Sequence, residues 1–180
     1  ISNGEQLSGR VTSPLSDDGQ KKFSIHAAKI VTDPKNAYGY WGLKPVEVDG
    51  DILRTKAADN LASCAAILAV LDRLSKQKVT ADLWGVFTRA EEVGLVGAGG
   101  IVDAHTVPKR VPIIVLETNK ELPGAEMGQG PVIRVGDRLS IFDPGVEYAM
   151  HNLAQTLAQS RRKFKFQRQL MDGGTCEASV

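Results

Sequence analysis

Four carboxylates lie at the ends of elements that the hydrophobic pattern predicts. Glu91 and Glu92 follow one apolar segment and Glu117 ends another. Asp59 opens a helical pattern. Carboxylates gathered at one end of a sheet repel one another unless a cation lies between them. Two metal ions about 3.5–4 Å apart polarise a carbonyl and activate a water, and a carboxylate that binds no metal takes the water's proton. The pattern therefore predicts metal-assisted hydrolysis.

Each of these acids also has a simpler structural interpretation. A pair such as Glu91-Glu92 is favoured in the first turn of a helix by the helix dipole. Asp59 is a typical N-cap, and Glu117 alone is typical of a surface or capping residue. The occurrence of all of them at the ends of consecutive elements favours a site.

Alternating helices and strands must position these acids. Apolar residues recur at helical spacing after Asp59, and short apolar runs bounded by Gly, Pro and Asp indicate core strands. The predicted helices are 59–74, 93–104 and 143–161, and the predicted strands are 82–88, 111–116, 131–135 and 164–166. This alternation predicts an α/β fold, in which ligands collect beyond the carboxyl ends of the strands.

The first part of the chain has a different pattern of residues from the rest. Short apolar runs alternate there with turn clusters, and Asp49-Gly50 between two apolar runs predicts a hairpin. We therefore predict two regions: a β-rich lid or appendage at 1–52 and an α/β catalytic domain at 53–180.

Composition excludes several classes of protein. Lys and Arg total 22 against 21 Asp and Glu, so nothing in the charge predicts a nucleic-acid or membrane partner. The basic run 161–165 is typical of a solvated helix end. No apolar run approaches the roughly 20 residues that span a bilayer. Two cysteines are too few for a disulfide scaffold, so we expect thiols in a reducing cytoplasm.

Several sequence blocks resemble one enzyme family. Ala58-Asp59-Asn60-Leu61 and the block Thr88-Arg89-Ala90-Glu91-Glu92-Val93-Gly94-Leu95-Val96-Gly97-Ala98 resemble the dinuclear zinc aminopeptidases of the tetrahedral-aminopeptidase and glutamyl-aminopeptidase family. Gly128-Gln129-Gly130-Pro131 and Asp172-Gly173-Gly174-Thr175 are similar to two later blocks. The resemblance covers 43–180, and the Glu-Glu-Val-Gly-Leu block is its most specific part.

The resemblance implies a role for each matching residue. Asp59 matches the aspartate that bridges two metal ions, and Glu91 matches the general base. Glu92 and Glu117 each match a ligand of one metal. A turn near the substrate pocket is matched by Gly173, Gly174 and Thr175.

The resemblance also implies an architecture and cofactors. It implies a mixed-sheet catalytic domain with a small β-rich lid, a peptide substrate, and a homo-oligomer. The cofactors implied are two divalent metal ions, with zinc expected and cobalt or manganese compatible with the same ligands.

Two departures from the family pattern affect these expectations. The family uses two histidine ligands, and none of His26, His105 and His151 occupies a matching position. The chain is therefore expected to be an internal stretch, truncated at both ends relative to the family and inactive alone. Cys176-Glu177 stands where relatives often have Asp-Ala, which leaves the substrate preference open.

Three other functions remain open at this point. A related metal-dependent amidohydrolase or deacylase would use the same carboxylates. A non-catalytic fragment or subunit would retain the fold alone. A thiol hydrolase would need a base beside Cys176, and no histidine lies near it in sequence.

Overall fold

The computed structural model describes residues 6–13 and 24–180. The chain forms two compact units, Ile1–Lys56 and Ala57–Val180. The boundary lies a few residues after the predicted one at 52/53. The assignment of 1–52 as a lid and 53–180 as a catalytic domain stays a prediction, and 1–5 and 14–23 lie outside the described residues.

The described residues of the first unit form two small antiparallel sheets. Strands β1 (Gly9–Val11) and β2 (Ile25–Ala27) pair with each other, as do β3 (Val46–Asp49) and β4 (Ile52–Thr55). The second pair is the predicted hairpin. Gly50 lies at its turn with φ of 60°, a left-handed conformation that glycine adopts without steric cost.

The second unit begins with two helices. Helix α1 covers Ala58–Ser75 and α2 covers Val96–Asp103. The N-cap of α1 is Ala57, with no side-chain cap. Asp59 and Asn60, the two candidate caps, lie at a kink in the first turn where the backbone is non-helical, so neither is the N-cap that precedes Ala58.

A parallel β–α–β unit forms the most buried part of the second unit. Strand β5 (Val132–Asp137) pairs in parallel with β6 (Gln167–Met171), and α3 (Pro144–Ser160) connects them. Parallel strands need such a crossover. The helix predicted at 143–161 forms, and Asp143 caps it: the Asp143 carboxylate accepts hydrogen bonds from the backbone N–H groups of Gly145 at 2.8 Å and Val146 at 2.9 Å.

One ion pair joins α3 to β6. The Arg168 guanidinium donates to both carboxylate oxygens of Glu147, at 2.7 and 3.2 Å. Arg168 therefore lowers the pKa of Glu147, against the opposing effect of burial. Because this pKa is depressed in the fold, the stability that the pair contributes is lost as pH falls through it.

Two predicted strands form no ladder. Segments 82–88 and 111–116 have no regular secondary structure, and no backbone hydrogen bond pairs them with a strand in the described part of the chain. Composition indicates an extended apolar segment, but a strand also needs a partner on its edge. The strand predicted at 164–166 is displaced, since the ladder begins at Gln167.

A buried carboxylate fixes the C-terminal segment. Asp137 accepts hydrogen bonds from the backbone N–H groups of Leu139 at 2.7 Å, Ser140 at 3.0 Å and Cys176 at 3.1 Å, and from the Ser179 hydroxyl at 2.6 Å. Burial acts to raise the pKa of Asp137, but these hydrogen bonds lower it below its usual value. They hold the short 3₁₀ helix η1 (Glu177–Ser179) against the end of β5.

None of the helices in the described ranges is both long enough and apolar enough to cross a bilayer.

Candidate active site

A cavity of about 610 Å³ lies within the second unit. One face of α1 and the segments 82–88 and 107–117 form most of its wall. That wall is largely apolar, and the cavity brings together the four predicted carboxylates, Asp59, Glu91, Glu92 and Glu117. A mostly apolar pocket with a few convergent polar groups is the usual form of a ligand site.

The start of α1 brings Asp59 toward the end of the second apolar segment. The side-chain amide of Asn60 donates a hydrogen bond to the Leu116 carbonyl at 3.0 Å, directly before Glu117. The Asp59–Asn60 peptide bond is cis. This contact brings together the two elements that carry Asp59 and Glu117, which are far apart in sequence.

A tight turn after segment 82–88 presents Glu91 and Glu92. Ala90 and Leu95 both have left-handed backbones, with φ of 59° and 57°. The Glu91 carbonyl accepts from the N–H groups of Gly94 at 3.0 Å and Leu95 at 2.9 Å. Local hydrogen bonds thus fix the backbone of this turn. Glu91 and Glu92 line the cavity.

Gly97 closes this turn and is expected to tolerate no side chain. Its N–H donates to the Arg89 carbonyl at 3.0 Å, and a Cβ at this position would lie 2.5 Å from that oxygen and 2.7 Å from the Arg89 nitrogen. We expect Gly97→Ala to destabilise the chain by about 1–3 kcal/mol and to displace Glu91. Thermal denaturation and kcat would measure the two effects.

Gly99 provides the matched control in the same helix. A Cβ there meets nothing within 4 Å, so Gly99→Ala should be neutral or stabilising by about 0.5–1 kcal/mol. Equal effects of the two substitutions would contradict the close-approach explanation for Gly97.

Glu117 is held by its own neighbour in the chain. Its Oε1 accepts a hydrogen bond from the Thr118 N–H at 2.7 Å, and the Arg134 guanidinium donates to the Thr118 carbonyl. Strand β5, which carries Arg134, therefore fixes the segment that positions Glu117.

The carboxylates influence one another electrostatically. Burial raises the pKa of Glu91, and the charges of Glu92, Glu177 and Asp59 raise it further. Burial also raises the pKa of Glu117, with Asp59 and Glu177 adding to the shift and the Thr118 N–H and Arg134 opposing it. A raised pKa suits a general base that works near neutral pH.

Sequence reasoning did not assign a role to Glu177, which also lines the cavity. Its Oε1 accepts a hydrogen bond from the Thr88 hydroxyl at 2.8 Å. The available signal was the departure Cys176-Glu177 from the family pattern. That departure placed a carboxylate beside the glycine turn but gave it no location in space.

Other predicted residues lie elsewhere. Gly173, Gly174 and Thr175 are not among the residues that line the cavity. His26 lies in β2 of the first unit, and neither His105 nor His151 lines the cavity. Cys176 is buried, which raises the pKa of its thiol and opposes a role as a nucleophile.

The chemistry of the cavity suits a divalent cation, although the ligand set is incomplete. Its lining includes carboxylates but no lysine, arginine or histidine, and carboxylate oxygens are ligands for such ions. Within 6–13 and 24–180, no three His, Cys, Asp or Glu side chains form a group able to hold a metal ion. The acids thus fit the cation in donor type without completing its coordination.

Known proteins identify the family. The profile of the M42 glutamyl aminopeptidases matches residues 36–180. A curated protein of Acetivibrio thermocellus, named "Putative aminopeptidase", is 28% identical over 131 residues, covering 71% of this chain and 38% of the relative. The chain thus spans less than half of that relative's length, and no solved structure matches it. Because the family profile extends over most of the chain, including every carboxylate of the cavity, this chain belongs to the M42 glutamyl aminopeptidase family.

Proposed function

We propose that this chain carries the carboxylate part of the active site of a metal-dependent aminopeptidase, which hydrolyses the N-terminal peptide bond of its substrate. The observation that carries the proposal is the convergence of Asp59, Glu91, Glu92 and Glu117 on one cavity that has no basic side chain in its lining. Membership of a peptidase family supports the same reaction class.

The carboxylates divide into ligands and a base. Asp59 would bridge two divalent ions, and Glu92 and Glu117 would each bind one. When bound, such ions polarise a carbonyl and acidify water. We propose two such ions per site, with zinc expected and cobalt or manganese compatible with the same ligands.

Glu91 would transfer the proton. It accepts a proton from the attacking water and returns it to the leaving amine, so that the peptide nitrogen departs as a neutral group. In the chain without metal, burial and then the charges of Glu92, Glu177 and Asp59 raise the pKa of Glu91. The apolar wall formed by α1 and segments 82–88 and 107–117 offers a surface for the apolar parts of a substrate.

The wider setting is also a proposal. We infer a peptide substrate, a cytoplasmic location, no nucleic-acid or membrane partner, and a homo-oligomer. The lid role of 1–52, the catalytic role of 53–180, and the contact of Gly173, Gly174 and Thr175 with substrate are retained as proposals.

The test is a substrate panel applied to the complete gene product after incubation with zinc, cobalt or manganese. We expect release of the first residue from aminoacyl p-nitroanilides and short peptides. Hydrolysis of N-acetyl amino acids in their place would favour the deacylase alternative. No hydrolysis of either class with any of the three metals would favour a non-catalytic subunit.

A further inference from the structure

We propose that Glu177 binds the positively charged α-amino group of the substrate and so selects peptides with a free N-terminus. This inference deepens the proposed function and rests on it for the reaction concerned. It assigns a role to a carboxylate that the proposed chemistry does not use, since Glu91 is the base and the ligands are Asp59, Glu92 and Glu117.

The two oxygens of Glu177 differ in their surroundings. Oε1 accepts the hydrogen bond from the Thr88 hydroxyl at 2.8 Å, which orients the carboxylate. Oε2 is buried and has no hydrogen-bond partner within the described chain. A buried charged oxygen without a partner is costly. Glu177 lines the cavity, so a donor that arrives with a ligand would offset that cost.

The surroundings of that oxygen favour a positively charged partner. Thr88 is neutral, so its hydrogen bond leaves the charge of Glu177 uncompensated. No lysine, arginine or histidine lines the cavity, and Glu177 lies close enough to Glu91 and Glu117 for its charge to act on both. A cation beside Glu177 is therefore also close to the proposed base and to one proposed ligand.

An ammonium group suits Glu177 better than a metal ion does. Oε2 is the oxygen of Glu177 that lacks a hydrogen-bond donor, and a positively charged donor would satisfy both the hydrogen bond and the charge. A primary ammonium has three donors. It can donate one hydrogen bond to Oε2 and others to neighbouring carboxylates or carbonyls, and a charge-assisted hydrogen bond of this kind is among the stronger ones.

The position of Glu177 is built into the fold. It begins η1, which the buried Asp137 carboxylate fixes through the Cys176 N–H and the Ser179 hydroxyl. The Thr88 end of the contact directly precedes the turn that carries Glu91. The Thr88–Glu177 hydrogen bond therefore holds the proposed ammonium-binding carboxylate near the turn that carries Glu91. Cleavage after the first residue requires a fixed distance between the group that binds the N-terminus and the base.

The test uses Glu177→Gln, which keeps the shape and an oxygen to accept from Thr88 but removes the charge. Calorimetry on the complete gene product would measure binding of L-leucinamide and L-glutamic acid α-amide, each beside its N-acetyl counterpart. We expect the wild type to prefer the free amines, and the variant to bind them about ten- to a hundred-fold more weakly while its binding of the acetylated forms is unchanged. With peptide substrates KM should rise by a similar factor, with a smaller change in kcat.

Two further variants keep the result interpretable. Thr88→Val removes the orienting hydroxyl with little change in shape, so it should weaken free-amine binding in the same direction but less. Asp103→Asn neutralises an exposed carboxylate outside the cavity and should leave binding and activity unchanged. If both Glu177→Gln and Thr88→Val weaken free-amine binding, the inference is supported even if one of the two variants is also less stable.

Three results would overturn the inference. These are equal binding of free and acetylated amides by the wild type, unchanged discrimination in Glu177→Gln, and a fall in bound metal in Glu177→Gln by elemental mass spectrometry, which would make Glu177 a ligand. Failure of the proposed function is distinct from these. It would appear as absence of hydrolysis by the wild type, whereas discrimination between the amides is measured without turnover.

Discussion

Glu91→Gln is expected to lower kcat by about a thousand-fold, within the range of roughly 10²–10⁴ that a general base contributes, and to leave KM nearly unchanged. Glutamine has the size of glutamate and can hold a water by hydrogen bonds, but it cannot accept the proton that the water must lose. Steady-state kinetics on an aminoacyl p-nitroanilide, with the variant and the wild type loaded with the same metal, would measure the effect.

The stability of this variant should change in the opposite direction. Burial and the charges of Glu92, Glu177 and Asp59 raise the pKa of Glu91 above its ordinary value of 4.5. Between pH 4.5 and the raised pKa of Glu91, the metal-free folded chain therefore binds more protons than the unfolded chain. The free energy of unfolding falls as pH rises through that window. Glu91→Gln removes this penalty, so at pH 7 without metal its melting temperature should equal or exceed that of the wild type.

The control and the pH profile make this prediction specific. Asp103→Asn should change neither kcat nor melting temperature, because Asp103 is exposed and lies outside the cavity. In the metal-loaded wild type, kcat/KM should fall at acid pH as the Glu91 carboxylate is protonated, and Glu91→Gln should lose this acid limb. A variant with wild-type kcat, or one that is inactive because it is unfolded by circular dichroism, would remove the argument for Glu91 as the base.

The convergence of the site acids could be predicted from sequence because it depends on local order. Glu91 and Glu117 each follow an apolar segment, and Asp59 opens a helical pattern; the structure places all three on one cavity. Strong local signals also predicted the hairpin around Gly50 and the helix at 143–161. Each of these features is decided by residues that are neighbours in the chain.

Features that depend on distant partners were beyond sequence reasoning. Segments 82–88 and 111–116 have the composition of core strands, but a ladder depends on a second edge that composition does not reveal. Glu177 reaches the cavity only because Asp137 fixes η1 and Thr88 orients the side chain. Those contacts join residues that are 39 and 89 positions apart in the chain.

The second large expected effect is the binding of divalent cations. We expect the complete gene product, purified without chelator, to contain close to two zinc ions per chain by elemental mass spectrometry, and Asp59→Asn to contain fewer. Because Asp59 is the proposed bridge, neutralising it should weaken the binding of both ions. Neutralising a ligand of a single ion should weaken the binding of that ion alone. Zinc returned to the chelator-treated wild type at about 100 times its Kd should stabilise it by about 2.7 kcal/mol, which is measured as a rise in melting temperature.

The same measurement separates the carboxylate cavity from adventitious binding. Asp103→Asn keeps the overall charge change of Asp59→Asn but lies outside the cavity, so it should retain the metal content and the thermal shift of the wild type. If both variants lose metal equally, the ion is bound diffusely by surface charge.

If the complete gene product binds no zinc, cobalt or manganese, the carboxylates around Glu91 have no cation to offset their repulsion, and the chain is better explained as a non-catalytic member of its family. If the complete gene product binds two ions while the 180-residue chain binds few, the missing ligands come from outside this chain, in agreement with the absence of histidine from the cavity lining.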